Sequence, residues 1–311
     1  MSKVSIIGAG DVGSTVAYTL QISSQATEIV LVDVNHDKAH GNALDMNHGL
    51  FFTSPVKIYA GDYSDCAGSD LIIITAGARQ KPGETRLELT RRNAAICAGI
   101  VQGLRPYLVA HTKILMLSNP VDVLAYVALE ASGLPAQQVF GSGTVLDSAR
   151  FRYELSRRCQ VDPRNVHAYV IGEHGDSEVF LWSQVHVGTM PLDVFCRDTP
   201  QNCILDEKAE IEENVRKSAY HIIDAKGYTN YGVSLAVQRI IESILRNERS
   251  VLTVSTLLHG EYGQEDLCAS VPCLVGARGI ERVLDIALPD DERKGLMNSA
   301  QVIKSTLSAL K

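Results

Sequence analysis

No stretch of this 311-residue chain is apolar for anything near the ~20 residues that a bilayer crossing takes, which excludes a membrane-spanning reading. Runs of lysine and arginine are equally missing. The 29 basic side chains stand against 36 acidic ones, a net charge of −7, and a mildly acidic surface without a basic run attracts neither nucleic acid nor an anionic membrane. Anionic small molecules would then have to be captured by local arginines. There is no C-x-x-C pair. The seven cysteines (Cys66, Cys97, Cys159, Cys196, Cys203, Cys268 and Cys273) are odd in number and scattered, which supports neither a disulfide framework nor a zinc site and fits a reducing, cytoplasmic setting. The opening Met-Ser-Lys-Val-Ser-Ile-Ile-Gly passes from a strand-like run straight into glycines, too short for a signal h-region and without a cleavage site. His36 and His40 stand at i, i+4, but no third ligand is near, so no metal is expected. Internal repeats and low-complexity segments are absent as well.

What is present is a good supply of core: 45% of the residues are hydrophobic, enough for two modest domains or one large one. Short apolar runs at Val4 to Ile7, Ile29 to Val32, Val56 to Tyr59, Leu71 to Thr75 and Ile114 to Leu117 alternate with helical segments. These runs do not alternate polar with apolar residues, and strands apolar on both faces belong to parallel sheets covered by helices. Residues 1–143 are therefore expected to form a doubly wound α/β domain. Beyond them the pattern changes to a long helix (Val145 to Arg158), irregular strands, helices around Glu207 to Asp224 and Asn230 to Arg246, and strands at Val251 to Leu257 and Ala269 to Val275. A closing helix has Asp290, Asp291 and Glu292 in its first turn, where acids suit the helix dipole. Residues 144–311 are expected to form a second, mixed α+β domain.

Gly8-Ala9-Gly10-Asp11-Val12-Gly13 is a G-x-G-x-x-G. The pattern gains weight from its setting: it follows a predicted strand, opens a helix (Ser14 to Gln21), and is followed twenty residues after Gly13 by Asp33 at the end of a second strand. In a Rossmann-type unit Gly8 permits the tight turn, Gly10 lets the backbone approach a pyrophosphate, and Gly13 allows close helix packing. Asp33 would accept the adenosine ribose hydroxyls. An acid there repels a 2′-phosphate, and the following Val34 and Asn35 supply no arginine, so NAD is preferred to NADP. The alternative is a glycine-rich turn in an α/β protein that binds something else.

Further along, Ile171-Gly172-Glu173-His174-Gly175-Asp176 and Asp147-Ser148-Ala149-Arg150 together suggest a proton relay and a carboxylate anchor. A histidine titrates near neutrality, a buried aspartate on its second ring nitrogen fixes the tautomer and stabilises the imidazolium, and an arginine fork fits a carboxylate bidentately. After the fourth strand, Thr75 to Arg86 forms a polar loop with Pro82 and Gly83, placed where an open α/β sheet presents its ligand crevice and able to move as a lid.

These motifs in this order, with Ser118-Asn119-Pro120-Val121-Asp122, Gly141 to Arg152, Asn165 to Asp176 and Lys226 to Gly232, resemble the bacterial L-lactate dehydrogenases of the lactate/malate dehydrogenase family over essentially the whole chain. The resemblance implies reversible hydride transfer between NADH and pyruvate. By it His174 is the acid/base, Asp147 its partner, Arg150 the anchor for the substrate carboxylate and Arg86 the lid arginine that polarises the ketone. Asn119 contacts both substrate and nicotinamide, although Asn-Pro is also an ordinary turn signal. Val12, Asp33, Gly77, Ala78 and Ser142 match cofactor contacts, as do Tyr63 and Lys38, either of which could instead be a surface residue. Gln80 offers a neutral amide to the methyl end of pyruvate where a malate enzyme offers arginine, and an unpaired carboxylate in a closed pocket is costly. A one-residue slip would bring Arg79 there instead and favour malate or broader L-2-hydroxyacid dehydrogenase activity. Thr229 limits pocket size by the resemblance, and also suits a helix N-cap. Arg152 and His167 match positions that bind fructose 1,6-bisphosphate across a subunit interface, which implies an activated homotetramer; otherwise Arg152 pairs locally on its helix and His167 is an interior or interface histidine. A non-catalytic dinucleotide-binding protein is the reading from another class, and the intact set of His174, Asp147, Arg150 and Arg86 opposes it.

Overall fold

The computed structural model describes residues 2–81, 83–199 and 203–310. Pro82, part of the spacing by which Gln80 and Arg86 were aligned, lies outside the described residues. The first half alternates strand and helix as expected: β1 (Lys3–Ile7), α1 (Asp11–Ser23), β2 (Glu28–Val32), α2 (His36–His48), β3 (Lys57–Ala60), β4 (Leu71–Ile74), α3 (Arg86–Leu104), β5 (Lys113–Met116), α4 (Val121–Ser132) and β6 (Val139–Gly141). The last strand was not read from the sequence; three residues are too few to set a periodicity. Its pairing with β5 is what makes it a strand.

The six strands run parallel in the order β3-β2-β1-β4-β5-β6, the doubly wound arrangement with its switch point between β1 and β4. Alternate side chains of each strand face opposite layers. Val4, Ile6, Ile29, Leu31, Leu71 and Ile73 pack on one side with α1 and α2, while Ile7, Val30, Val32, Ile72 and Ile74 pack on the other with α3 and α4. This is why the runs are apolar throughout. The fold class is an α/β, Rossmann-type sheet followed by mixed α+β structure.

The second half comprises α5 (Val145–Cys159), the short strands β7 (Val166–His167), β8 (Val170–Ile171), β9 (Val179–Phe180), β10 (His186–Val187) and β11 (Met190–Pro191), α6 (Leu192–Asp198), α7 (Lys208–Lys226), α8 (Tyr231–Leu245), β12 (Ser250–His259), β13 (Glu265–Gly276), β14 (Gly279–Val283) and α9 (Asp290–Leu310). It does not stand apart from the first half. Strand β12 joins β6 antiparallel through Ser255 and Gly141, so β12, β13 and β14 extend the sheet to nine strands. Helices α8 and α9 contribute Val237, Ile240, Ile241, Ala300 and Ile303 to the same core as β1 and β2. A separate core around Phe151, Leu155, Val170, Phe180 and Ile211 belongs to α5, α7 and the small hairpins. Among the described residues no helix is long and apolar enough to cross a membrane.

Candidate active site

Five loops converge at the carboxyl ends of the parallel strands. The first, after β1, carries the three glycines, and each is tested by what a Cβ would meet. At Gly8 the backbone has φ +107° and a Cβ would lie 2.8 Å from the Ala76 nitrogen; at Gly13 it would lie 1.8 Å from the Gly8 carbonyl oxygen; at Gly10 it would meet nothing within 4 Å. The first and third glycines are thus demanded by the fold, whereas the second faces open space, as a backbone cradling a pyrophosphate requires. Helix α1 begins at Asp11, earlier than the Ser14 expected, so Gly13 sits in its first turn. Its N-cap, Gly10, supplies no side-chain hydrogen bond, leaving N–H groups of that turn to a ligand anion.

Asp33, at the end of β2, accepts hydrogen bonds from the N–H of Ala9 at 2.6 Å and of Asn35 at 2.9 Å. A carboxylate has about four acceptor positions, so ribose hydroxyls can still be accommodated. Lys38 is exposed in the first turn of α2. Tyr63 packs inward, where a Cβ on Gly103 would come within 2.6 Å of its ring, and burial raises its phenol above the ordinary value. Val12 packs partly against the sheet. The Ala78 N–H donates to Asn93 Oδ1 at 2.8 Å, and Asn93 Nδ2 donates to the Asn119 carbonyl at 3.1 Å. Asn93 therefore ties the Gly77-Ala78 turn to the Asn119-Pro120 turn, whose peptide is cis. Ser142 follows β6 and its N–H donates to the Met116 carbonyl at 2.9 Å.

The proposed relay is assembled from two segments, α5 and the loop after β8. Asp147 and Arg150, one turn apart on α5, share a helix face, and the burial of Asp147, which is 2% exposed, is relieved by two partners. His174 Nδ1 lies 2.5 Å from Asp147 Oδ2, and Arg150 Nη1 donates to Asp147 Oδ1 at 2.9 Å. Burial works against the charge on His174, but the Asp147 carboxylate and its hydrogen bond outweigh it and lift the imidazole to about 9. Burial likewise opposes ionisation of Asp147, and the charges of His174 and Arg150 reverse that and hold it below its ordinary value.

Two acids near His174 were not singled out from the sequence. Asp122, 2% exposed, accepts the His174 backbone N–H at 2.8 Å and the Ser270 hydroxyl at 3.2 Å, and burial pushes its carboxyl up to about 6 against the pull of its hydrogen bonds. Glu178 is buried, and its Oε1 has no hydrogen-bond partner among the described residues; burial, then the charge of Asp147, raise it to about 8. In the sequence Asp122 reads as an ordinary acid at a helix start, and nothing local marks it as buried. From the other side Ser299 of α9 accepts the Glu173 N–H at 2.6 Å, so the C-terminal helix also fixes the loop carrying His174.

The lid residues are not all brought to this cluster. Arg86 opens α3 behind a Thr85–Glu88 capping box and donates to Asp176 Oδ2, two residues along the chain from His174, at 2.9 Å and to the Tyr220 hydroxyl at 3.3 Å. Gln80 is exposed and donates to the Glu84 carbonyl at 2.7 Å. Arg79 turns back to Asp11 in the nucleotide loop at 2.7 Å. Thr229 lies half-buried between α7 and α8, and the N-cap of α8 is Asn230, not Thr229. Arg152 does not pair locally on its helix: its Nε donates to the Ala168 carbonyl at 2.9 Å, and its guanidinium lies 4.8 Å from the Tyr169 ring centroid. His167, the residue before Ala168, is exposed on β7 and so is no interior histidine. The His36 and His40 rings stack on α2 at 6.5 Å, and among the described residues no group of three His, Cys, Asp or Glu side chains is placed to hold a metal ion.

Comparison with known proteins matches the same two halves. The L-lactate dehydrogenase of Thermoanaerobacter sp. (strain X514) is 53% identical over 100% of this chain and 99% of its own, and that of Acetivibrio thermocellus 50% over 100% and 98%. A solved lactate dehydrogenase from a Medee basin deep-sea metagenome library superposes with a TM-score of 0.96 at 41% identity, covering 99% of this chain and 98% of its own. The ligand-bound minor L-lactate dehydrogenase of Enterococcus mundtii gives 0.95 at 39%, covering 100% and 98%. Residues 2–141 match the family model for the lactate/malate dehydrogenase NAD-binding domain. Residues 144–311 match the model for that family's α/β C-terminal domain, and the chain therefore belongs to the lactate/malate dehydrogenase family.

Proposed function

We propose that the protein is an NAD-dependent L-lactate dehydrogenase of the cytoplasm, with residues 1–143 holding the dinucleotide and residues 144–311 supplying the substrate groups. The observation that carries the reading is the Asp147 fork, one oxygen on His174 and the other on Arg150. Such a fork would hold a proton donor and an anion anchor side by side on one carboxylate. The relatives at 50% identity and above that bear the name L-lactate dehydrogenase support the same substrate.

NADH, when bound, supplies the hydride that reduces the keto carbon of pyruvate. Gly8, Gly10, Val12, Gly13, Asp33, Lys38, Tyr63, Gly77, Ala78, Asn119 and Ser142 are the residues proposed to hold it. With Nδ1 committed to Asp147, His174 presents Nε2 to the substrate oxygen. An imidazole lifted to about 9 is protonated near neutrality, so Nε2–H donates to the ketone during reduction and Nε2 takes the hydroxyl proton back during lactate oxidation. Arg150 pairs the substrate carboxylate, and its bond to Asp147 fixes the plane of the fork. Arg86 leaves Asp176 and Tyr220 as the lid closes and stabilises the developing alkoxide, an interaction strengthened by excluding water. Asn119 and Thr229 complete the pocket, and Gln80 faces the methyl group.

The test is NADH oxidation with pyruvate or oxaloacetate at one pH. Pyruvate is the preferred substrate, and Gln80→Arg shifts the preference toward oxaloacetate by at least tenfold, since a paired carboxylate replaces an unpaired one. Preference of the unaltered enzyme for oxaloacetate would assign Arg79 or another cation to the pocket, in favour of malate or broader L-2-hydroxyacid dehydrogenase activity. His174→Asn folds and binds NADH but loses about 10²–10⁴ in turnover; near-normal turnover would remove His174 from the mechanism.

The same reading includes activation by fructose 1,6-bisphosphate in a homotetramer. Arg152 donates to the carbonyl of Ala168, the neighbour of exposed His167 in the chain, and two such pairs from neighbouring subunits would suit two phosphates. Exposed Phe51, Phe52, Tyr231 and Leu235 supply apolar surface for subunit contact.

A further inference from the structure

Helices α7 and α8 are joined by the turn 227–230, and its last residue directs its side chain away from the ordinary task. Asn230 is the N-cap of α8, where an asparagine usually accepts a backbone N–H of the first helical turn. It makes no such bond. The Ser234 N–H and hydroxyl both go to its backbone carbonyl, at 3.0 and 2.7 Å. The residue is only 7% exposed, and its amide is spent on two other elements: Oδ1 accepts Lys226 Nζ at 2.7 Å, and Nδ2 donates to Thr15 Oγ1 at 2.9 Å.

Chemistry fixes the direction of each bond. An ammonium only donates, so the amide oxygen faces Lys226 and the amide nitrogen faces Thr15. The Thr15 oxygen accepts, and its own proton goes to the Asp11 carbonyl at 2.6 Å. Lys226, the last residue of α7, thereby closes the turn, its ammonium 4.7 Å from the Tyr228 ring centroid and 4.2 Å from that of Tyr231, within cation–π range of both. At the other end, the peptide that supplies the Asp11 carbonyl also carries the Val12 N–H, in the first turn of α1, where N–H groups lack intrahelical partners. Linked hydrogen bonds polarise one another, so a bond accepted by that carbonyl makes that N–H a stronger donor. Behind this corner α1 and α8 share an apolar core with Val16, Leu20, Val237 and Ile241. Apolar contact is non-directional, and the Asn230–Thr15 bond is what sets the register of the two helix ends.

We propose, on the reading of this chain as an L-lactate dehydrogenase, that Asn230 is a positioning residue that couples the dinucleotide site to the substrate pocket. It ties the turn bearing Thr229 to the first turn of α1, so that each ligand strengthens the binding of the other. A dinucleotide that orders the start of α1 favours the bonded arrangement of Asn230, and with it one position of Thr229. Substrate lodged against Thr229 acts back along the same bonds, because coupling between two sites is reciprocal.

The test titrates NADH into the full-length protein by fluorescence, with and without oxamate, an isostere of pyruvate that accepts no hydride. In the unaltered protein oxamate tightens NADH binding. Thr15→Val keeps the shape of the side chain and removes the acceptor, and Asn230→Ala removes the donor; in each the tightening falls by about fivefold or more. The double variant loses no more than either single one, as two partners of one bond should. Thr15→Ser, which retains the hydroxyl, retains the tightening. Full tightening in both single variants, or additive losses in the double one, would overturn the proposal and leave the lactate dehydrogenase reading standing. Oxamate without effect on NADH binding in the unaltered protein would overturn it too, and that reading falls with it only where pyruvate is not reduced either.

Discussion

His174, the proposed proton relay, is a side chain whose charge is set by its neighbours. The free imidazole titrates near 6.5, and Asp147 lifts His174 to about 9, so its charged form contributes stability that is fully present below about 6.5 and is lost as pH rises through about 9. Asp147, held below its ordinary carboxylate value, contributes in the opposite direction: its share is present above that value and is lost on acidification. Pyruvate reduction by the free enzyme is therefore expected to fall as pH rises through about 9. In Asp147→Asn that limb moves down toward 6.5 and turnover drops, which a pH profile of kcat/KM checks; a limb left in place would show that Asp147 does not support the imidazolium. Asp122→Ala leaves the His174 N–H and the Ser270 hydroxyl without their shared acceptor, at roughly 1–3 kcal/mol for each buried group left unpaired. Thermal melting should register the loss together with reduced kcat, while NADH binding is retained. That Asp147, Arg150 and His174 belong to one cluster was legible in the sequence from their residue types and motif positions, and the structure brings them together. Asp122 and Glu178 were not, because burial and the direction of a side chain are products of packing.

At the scale of elements, the glycine-rich turn after β1 was legible because glycine reports a backbone constraint directly. Gly13 has no room for a methyl group, while Gly10 has open space before it. Gly13→Ala should accordingly destabilise the protein by about 1–3 kcal/mol through overpacking, lowering the melting temperature and NADH binding together. Gly10→Ala should leave melting unchanged and weaken NADH binding alone, as fluorescence titration would report; equal effects at the two positions would show that the open space at Gly10 is not where the dinucleotide passes. Helix α5 was read from Val145 to Arg158 and spans Val145–Cys159, its amphipathic period being long enough to locate both ends. Strands β6 and β14 escaped notice for the opposite reason, since short segments become strands only through their partners. The lid gave its motif but not its conformation, and Arg86 on Asp176 with Gln80 on Glu84 is one set of contacts among those a loop can adopt.

For the whole molecule, the paired aromatic rings of Phe51 and Phe52, 90% and 82% exposed, are costly to leave in water, and association would cover them. Sedimentation should find an assembly, with Phe51→Ser/Phe52→Ser shifting it toward smaller species if these rings are in the contact. Under the proposed activation, fructose 1,6-bisphosphate should raise activity, and Arg152→Gln or His167→Gln should abolish the response. Activation requires that the ligand prefer the active arrangement, so an unaltered rate across acidic and neutral pH would dismiss the effector and leave the catalytic reading intact. The sequence by itself determined the parallel sheet, the glycine-rich turn and the candidate groups proposed to carry proton and charge, because apolar periodicity, glycine and titratable side chains express their physics locally. Only the tertiary structure decided that the second half continues the first half's sheet, that Asp147 serves His174 and Arg150 at once, and that Asp122 and Ser299 hold the His174 loop. Each of those depends on contacts between residues far apart in the chain, and such contacts are selected by how the whole core packs.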